Sequence, residues 1–221
     1  MTAGGTSRDG GTCLLRTASA AERRMAVKVW LIRHGLTRLG EEKRYQGRLD
    51  YGLSKAGRAA LVRADFCPAR VYVSPALRAR ETAEILFPGA EQVLCPDLRE
   101  MDFGSFEGRG WWEMEEDSEY RAWVDGGCLG RCPGGEDKAE LTERVCRCFD
   151  RILKAETKAS DEVENVAIVA HGGTQMALLE EKGIPQREYY RWQRPCGCGW
   201  LLDWEPKSGT LHVIREISFL K

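Results

Sequence analysis

The stretch VKVWLIRHG at residues 27–35 decides the reading of the fold, together with its echo VAIVAHGG at residues 166–173. Each is a nearly continuous apolar run rich in β-branched residues, the pattern of a strand buried on both faces of a parallel sheet. Each run ends at His-Gly. In open parallel sheets, ligands sit beyond the carboxyl ends of the strands. The two runs therefore carry His34 and His171 to one rim, although the histidines are far apart in the chain.

Working outward, Ser54 can cap a helix carrying Ala56, Ala59, Ala60, Leu61 and Ala64 at helical spacing, which Pro68 ends. Residues 71–74 predict a short strand, residues 76–87 a helix stopped by Pro88 and Gly89, and residues 92–95 a third strand. Residues 99–135, rich in Gly, Trp and acids, break the rhythm and predict a partly helical, lid-like insertion over about 101–135. Beyond it Leu141, Val145, Cys148, Phe149 and Ile152 recur at helical spacing, predicting a long amphipathic helix over residues 136–159. A helix over 174–182 follows the second His-Gly. Two last strands, 199–204 and 211–217, turn near Lys207-Ser208-Gly209. The alternation predicts an α/β layered sandwich, its mostly parallel central sheet flanked by helices.

The 221 residues suffice for one well-buried domain, placed at 26–221, after a segment at 1–25 that reads as a disordered extension. That segment lacks the apolar core of a secretory signal, and Met25 stands directly before the first strand, which marks the upstream residues as dispensable or as an overcalled start. The 33 basic and 34 acidic residues cancel to a net charge of -1, without the electrostatic footprint of a nucleic-acid or anionic-membrane binder. No apolar run approaches the roughly 20 residues of a membrane span. A small soluble ligand and a cytoplasmic location are expected; oligomeric state is left open, with a homodimer among the options. The nine cysteines are odd in number and read as reduced thiols. Cys146/Cys148 and Cys196/Cys198, with Cys128 and Cys132, do not make a matched set of zinc spacings. No metal or cofactor is expected.

Alone, His34 reads as a structural hydrogen-bonder. Its neighbours alter that reading: Arg33 offers a fork of donors shaped for phosphate, Gly35 permits close backbone approach, and Thr37 adds a hydroxyl. LIRHGLT, residues 31–37, resembles the defining motif of the histidine phosphatase superfamily, which includes the cofactor-dependent phosphoglycerate mutases. Further blocks follow in family order. YQGRLDYGLSKAGRAAL from Tyr45 matches the segment with Gln46-Gly47, and SPALRARETAEIL from Ser74 places a second phosphate arginine at Arg78. LREMDFGSFEG from Leu98 places the acid at Glu100, PGGE at 133–136 is similar to the α-ribazole phosphatases, and VAHGGT at 169–174 holds His171 and Gly172.

The resemblance implies a phosphoglycerate mutase-like fold in which His34 attacks phosphorus and is transiently phosphorylated. It implies that Arg33, Arg78 and His171 bind the phosphoryl oxygens, with Gly35, Thr37, Gln46, Gly47 and Gly172 around them. Glu100 would protonate the leaving alkoxide and then activate water; among nearby Glu107, Glu113, Glu115 and Glu116, motif position selects it. Arg80 and Arg99 read as solvated or substrate-rim charges. Two departures stand out: Gly40 replaces a frequent Asn, and Gln175-Met176 replace a frequent Arg or Lys, which weakens the case for a highly charged substrate. The implied activity is hydrolysis of a small phosphorylated metabolite, with α-ribazole 5′-phosphate as the candidate ester. Mutase-type phosphotransfer and non-catalytic phosphate binding are the alternatives. For Trp111, Trp112 and Trp123, packing of the insertion onto the domain is preferred to stacking on the ligand.

Overall fold

The computed structural model describes residue 1, residues 27–159 and residues 164–221. Apart from residue 1, the extension expected at 1–25 lies outside the described residues. The elements run β1 (Val27–Arg33), α1 (Arg38–Glu41), α2 (Lys55–Ala60), β2 (Arg70–Val73), α3 (Leu77–Leu86), β3 (Glu91–Leu94) and α4 (Ser118–Asp125). They continue with α5 (Lys138–Ala159), β4 (Asn165–Ala170), α6 (Gly172–Lys182), β5 (Gly183–Ile184), β6 (Cys198–Glu205) and β7 (Thr210–Ser218). Seven strands form one sheet in the order β3-β2-β4-β1-β6-β7-β5. β3, β2, β4 and β1 are mutually parallel, while β6 is antiparallel to both β1 and β7.

The continuous apolar runs are explained by two cores, one on each face of the sheet. Val29, Leu31, Val166 and Ile168 point to a core shared with Leu141, Val145, Phe149 and Ile152 of α5. Their alternates Ile32, Ala167 and Val169 point to a second core with Ala79, Ala83 and Leu86 of α3. Strand side chains alternate faces, so a strand covered on both sides needs apolar residues at every position. Each fully buried Leu or Ile contributes about 2 kcal/mol.

The expected elements recur with local differences. Ser54 does cap α2, accepting from the Gly57 amide, but the helix stops at Ala60. Leu61 instead bridges to Leu220, and the Val62 amide donates to the Phe219 carbonyl, so extended pairing with the C-terminus replaces further helical turns. Ala64 is buried outside the helix. α6 begins at Gly172, earlier than the apolar pattern suggests. The insertion consists of 3-10 turns at Gly104–Phe106 and Trp111–Glu113 and the helix α4, whose first amides are capped by Asp117. It is seated firmly: Phe106 and Met114 are fully buried in the same core as α5, with Tyr120 and Trp123 nearly so. Among the described residues no helix is long and apolar enough to cross a membrane.

Candidate active site

Strand register brings the two histidines together. Arg33 of β1 pairs with Ala170 of β4, so the next residue of each parallel strand, His34 and His171, emerges at the same edge. Their rings meet edge to face with centroids 5.1 Å apart. The backbone beyond β1 is held by His34 N donating to Ala170 O (2.9 Å) and by Gly197 N donating to His34 O (3.0 Å). Thr82 of α3 ties in the next residue, its hydroxyl accepting from Gly35 N at 2.9 Å.

His34 Nδ1 lies 2.7 Å from the Gly35 carbonyl. A carbonyl only accepts, so Nδ1 carries the proton and Nε2 keeps its lone pair. Burial, aided by the charges of Arg78 and Arg33, drives the His34 pKa well below the ordinary imidazole value, against the smaller opposing effect of the Gly35 bond. The ring is neutral at physiological pH. His171 is displaced in the same direction by burial, followed by Arg78. Its Nδ1 accepts from Arg78 Nε at 3.3 Å, which assigns the proton to Nε2, 2.7 Å from Ser74 Oγ.

Arg78 is wholly buried, its guanidinium fixed by the carbonyls of Leu49 (3.0 Å), Gln46 (3.2 Å) and Gly47 (2.9 Å). That loop is itself ordered by Glu107, whose carboxylate accepts from the amides of Gly47, Arg48, Leu49 and Phe103. A Cβ on Gly47 would fall 1.9 Å from the Met101 carbonyl, so only glycine fits there. Arg33 spends Nη1 on the Arg194 carbonyl (2.7 Å), while its Nε is buried without a hydrogen-bond partner among the described residues.

Glu100 projects from an irregular segment into the same cavity, 8% exposed. Its two oxygens accept from the amides of Met101 and Gly173, each at 3.0 Å. A Cβ at position 173 would approach Glu100 Oε1 to 2.2 Å, so the second glycine after His171 is what lets the acid reach the first turn of α6.

The cavity, about 320 Å³, is lined at its polar end by Arg33, His34, Thr37, Gln46 and Glu100. Arg78 and His171 lie behind this lining, and Gly35, Gly47 and Gly172 act through close packing; Gly172 backs the Arg33 guanidinium. The Thr37 hydroxyl is engaged within the protein, donating to Gln46 Oε1 (2.6 Å) and accepting from Gly40 N (3.1 Å). Of the other arginines considered from sequence, Arg80 lies in a separate surface groove and Arg99 does not line the cavity, so neither is a rim charge. That place is taken by Arg44, bonded to Glu113 at 2.5 and 3.1 Å and to Glu42 at 2.9 Å.

The remaining walls are mainly Tyr45, Met101, Phe103, Trp123, Met176, Tyr189 and Tyr190, with Cys128, Cys196 and the polar Gln193. Trp123 packs in the core, as preferred from sequence, and one edge of it also lines the cavity. Trp111 and Trp112 do not line it: they are 52% and 42% exposed and stack edge-on against each other. The aromatic wall drawn from residues 45, 103, 123 and 189–190 was not apparent from sequence, since no local pattern links those segments. Among the described residues no three His, Cys, Asp or Glu side chains come together as a metal site.

The family model of the histidine phosphatase superfamily (branch 1) matches residues 29–217, and the chain belongs to that superfamily. It is 29% identical, over 86% of its length and 96% of the relative's, to the adenosylcobalamin/alpha-ribazole phosphatase of Salmonella typhimurium. It is 31% identical over 83% of its length to the 2-carboxy-D-arabinitol-1-phosphatase of Triticum aestivum, but spans only 38% of that longer protein. Among solved structures, the alpha-ribazole phosphatase of Shigella flexneri superimposes with a TM-score of 0.71 at 25% identity, covering 85% of this chain and 95% of that one.

Proposed function

We propose that this superfamily member hydrolyses a small phosphomonoester through a phosphate carried on His34. The observation that carries the reading is the neutral His34 ring, with Nδ1 tied to the Gly35 carbonyl and Nε2 left as an unprotonated nucleophile in a cavity shared with Arg33 and Glu100. In the first step Nε2 bonds to phosphorus while the ester P–O bond breaks, and protonated Glu100 gives its proton to the departing alkoxide. In the second, water attacks the phosphohistidine, Glu100 takes its proton, the N–P bond breaks and the imidazole is again neutral. Charge on the transferring group is met by positions fixed beforehand, the Arg33 guanidinium at the cavity wall and the buried cation of Arg78. These cations supply what a metal would, so EDTA should leave the rate unchanged.

The wall chemistry supports α-ribazole 5′-phosphate as the ester, ahead of a mutase substrate. Besides Arg33 the lining drawn from the described residues offers one cation, Arg44, and Glu113 and Glu42 already neutralise it. A carboxylate on the substrate, as in phosphoglycerate, would meet neutral donors such as Gln193 but no unpaired cation beyond the phosphate end among the described residues. A neutral flat ring instead meets Tyr45, Phe103, Trp123 and Tyr189. The test compares kcat/KM for α-ribazole 5′-phosphate, 3-phosphoglycerate, a sugar phosphate and p-nitrophenyl phosphate. The first should exceed the carboxylate and sugar esters; equal values would remove the substrate assignment and leave the hydrolase chemistry standing.

A further inference from the structure

Glu100 stands on backbone of no regular structure, between a 3-10 turn ending at Leu98 and another beginning at Gly104. An acid that must meet a leaving oxygen needs tighter placement than such a segment gives unaided. The support comes from α5. Arg144 Nη1 donates to the carbonyls of Asp97 (2.9 Å) and Arg99 (2.7 Å), and its Nη2 to the carbonyl of Glu100 itself (3.0 Å). Nε and the second Nη2 hydrogen form a two-pronged pair with Glu136 at 2.8 and 2.7 Å. All five guanidinium hydrogens are thereby used. Glu136, the last residue of PGGE, completes the grip on the far side: Oε2 accepts from Asp102 N and its own amide donates to Asp102 O, both at 2.9 Å. Both side chains are largely buried, 13% and 16% exposed.

We propose that the Arg144–Glu136 pair is a positioning device for Glu100, fixing the acid's backbone from both sides so that its carboxyl meets the leaving oxygen. Its contacts fall on the backbone that carries the acid and none on the cavity, so its principal action is geometric. Lysine cannot replace the arginine: one ammonium cannot span three carbonyls and a carboxylate.

The proposal rests on the acid role proposed for Glu100, and its test separates the two. Proton donation matters for an alkyl leaving group and little for p-nitrophenolate, so kcat/KM is measured for an alkyl phosphate and for p-nitrophenyl phosphate in wild type, Glu100→Gln, Arg144→Lys and Glu136→Gln. A positioning role predicts that the alkyl-to-aryl ratio falls about 10-fold or more in Arg144→Lys and Glu136→Gln, in the same direction as in Glu100→Gln. Inhibition by inorganic phosphate should stay near wild type, and amide exchange at Met101 and Asp102 should accelerate. An unchanged ratio in the clamp variants, with a changed ratio in Glu100→Gln, overturns the clamp alone. An unchanged ratio in Glu100→Gln overturns the acid assignment instead. Should Arg144→Lys not fold, Glu136→Gln keeps the side-chain shape while weakening the pair, and carries the same decision.

Discussion

At the scale of single residues the site depends on closeness that only particular side chains allow. Gly173→Ala would place a methyl 2.2 Å from Glu100 Oε1 and displace the acid. We expect about a 100-fold loss of turnover with an alkyl ester while inorganic phosphate still binds, measured by steady-state kinetics and product inhibition. Glu107 acts on the other end of the site. Glu107→Gln weakens its hold on the amides of Gly47, Arg48 and Leu49, whose loop carbonyls fix Arg78. Losing a charged acceptor costs about 1.5 kcal/mol or more, so KM and the phosphate inhibition constant should rise about tenfold, with the alkyl-to-aryl ratio unchanged. His34, Arg33, Arg78, Glu100 and His171 were legible in sequence because their motifs are local. Glu107 was not, since a carboxylate near four other acids looks like surface until the amides it caps are seen.

At the scale of elements, two adjacent parallel strands do the assembling. The β1/β4 register sets His34 beside His171, and the period-two split of their side chains between two cores makes that register costly to shift. This was readable in VKVWLI and VAIVA, where apolarity at every position announced burial on both faces. The end of α2 was not readable: the alanine spacing through Ala64 suits a helix, and only pairing with Leu220 and Phe219, more than 150 positions away, ends it at Ala60. That the insertion packs onto the domain was the preferred reading, but which of its residues do so was not legible. Of its three tryptophans weighed alike in sequence, Trp111 and Trp112 are exposed and Trp123 on α4 is buried and reaches the cavity.

At the scale of the whole molecule, two neutral buried histidines link stability to pH. Both have native pKa values well below that of the unfolded chain, about 6.5, so below that pH the unfolded state binds protons that the native state refuses. Their stabilisation is complete above pH 6.5 or so and is lost as pH falls, at up to about 1.4 kcal/mol per pH unit for each ring. Thermal unfolding should therefore shift downward between pH 7.5 and 5.5, and His171→Asn should flatten the slope; an equal slope in the variant would show that His171 titrates normally in the native state. The central claim is that His34 carries the phosphate, and rapid acid-free quenching during turnover, followed by peptide mapping, tests it most directly. The account predicts an acid-labile, alkali-stable phosphate on His34, absent from His34→Ala, which should also be inactive. Turnover without such a label, or activity surviving in His34→Ala, would contradict it.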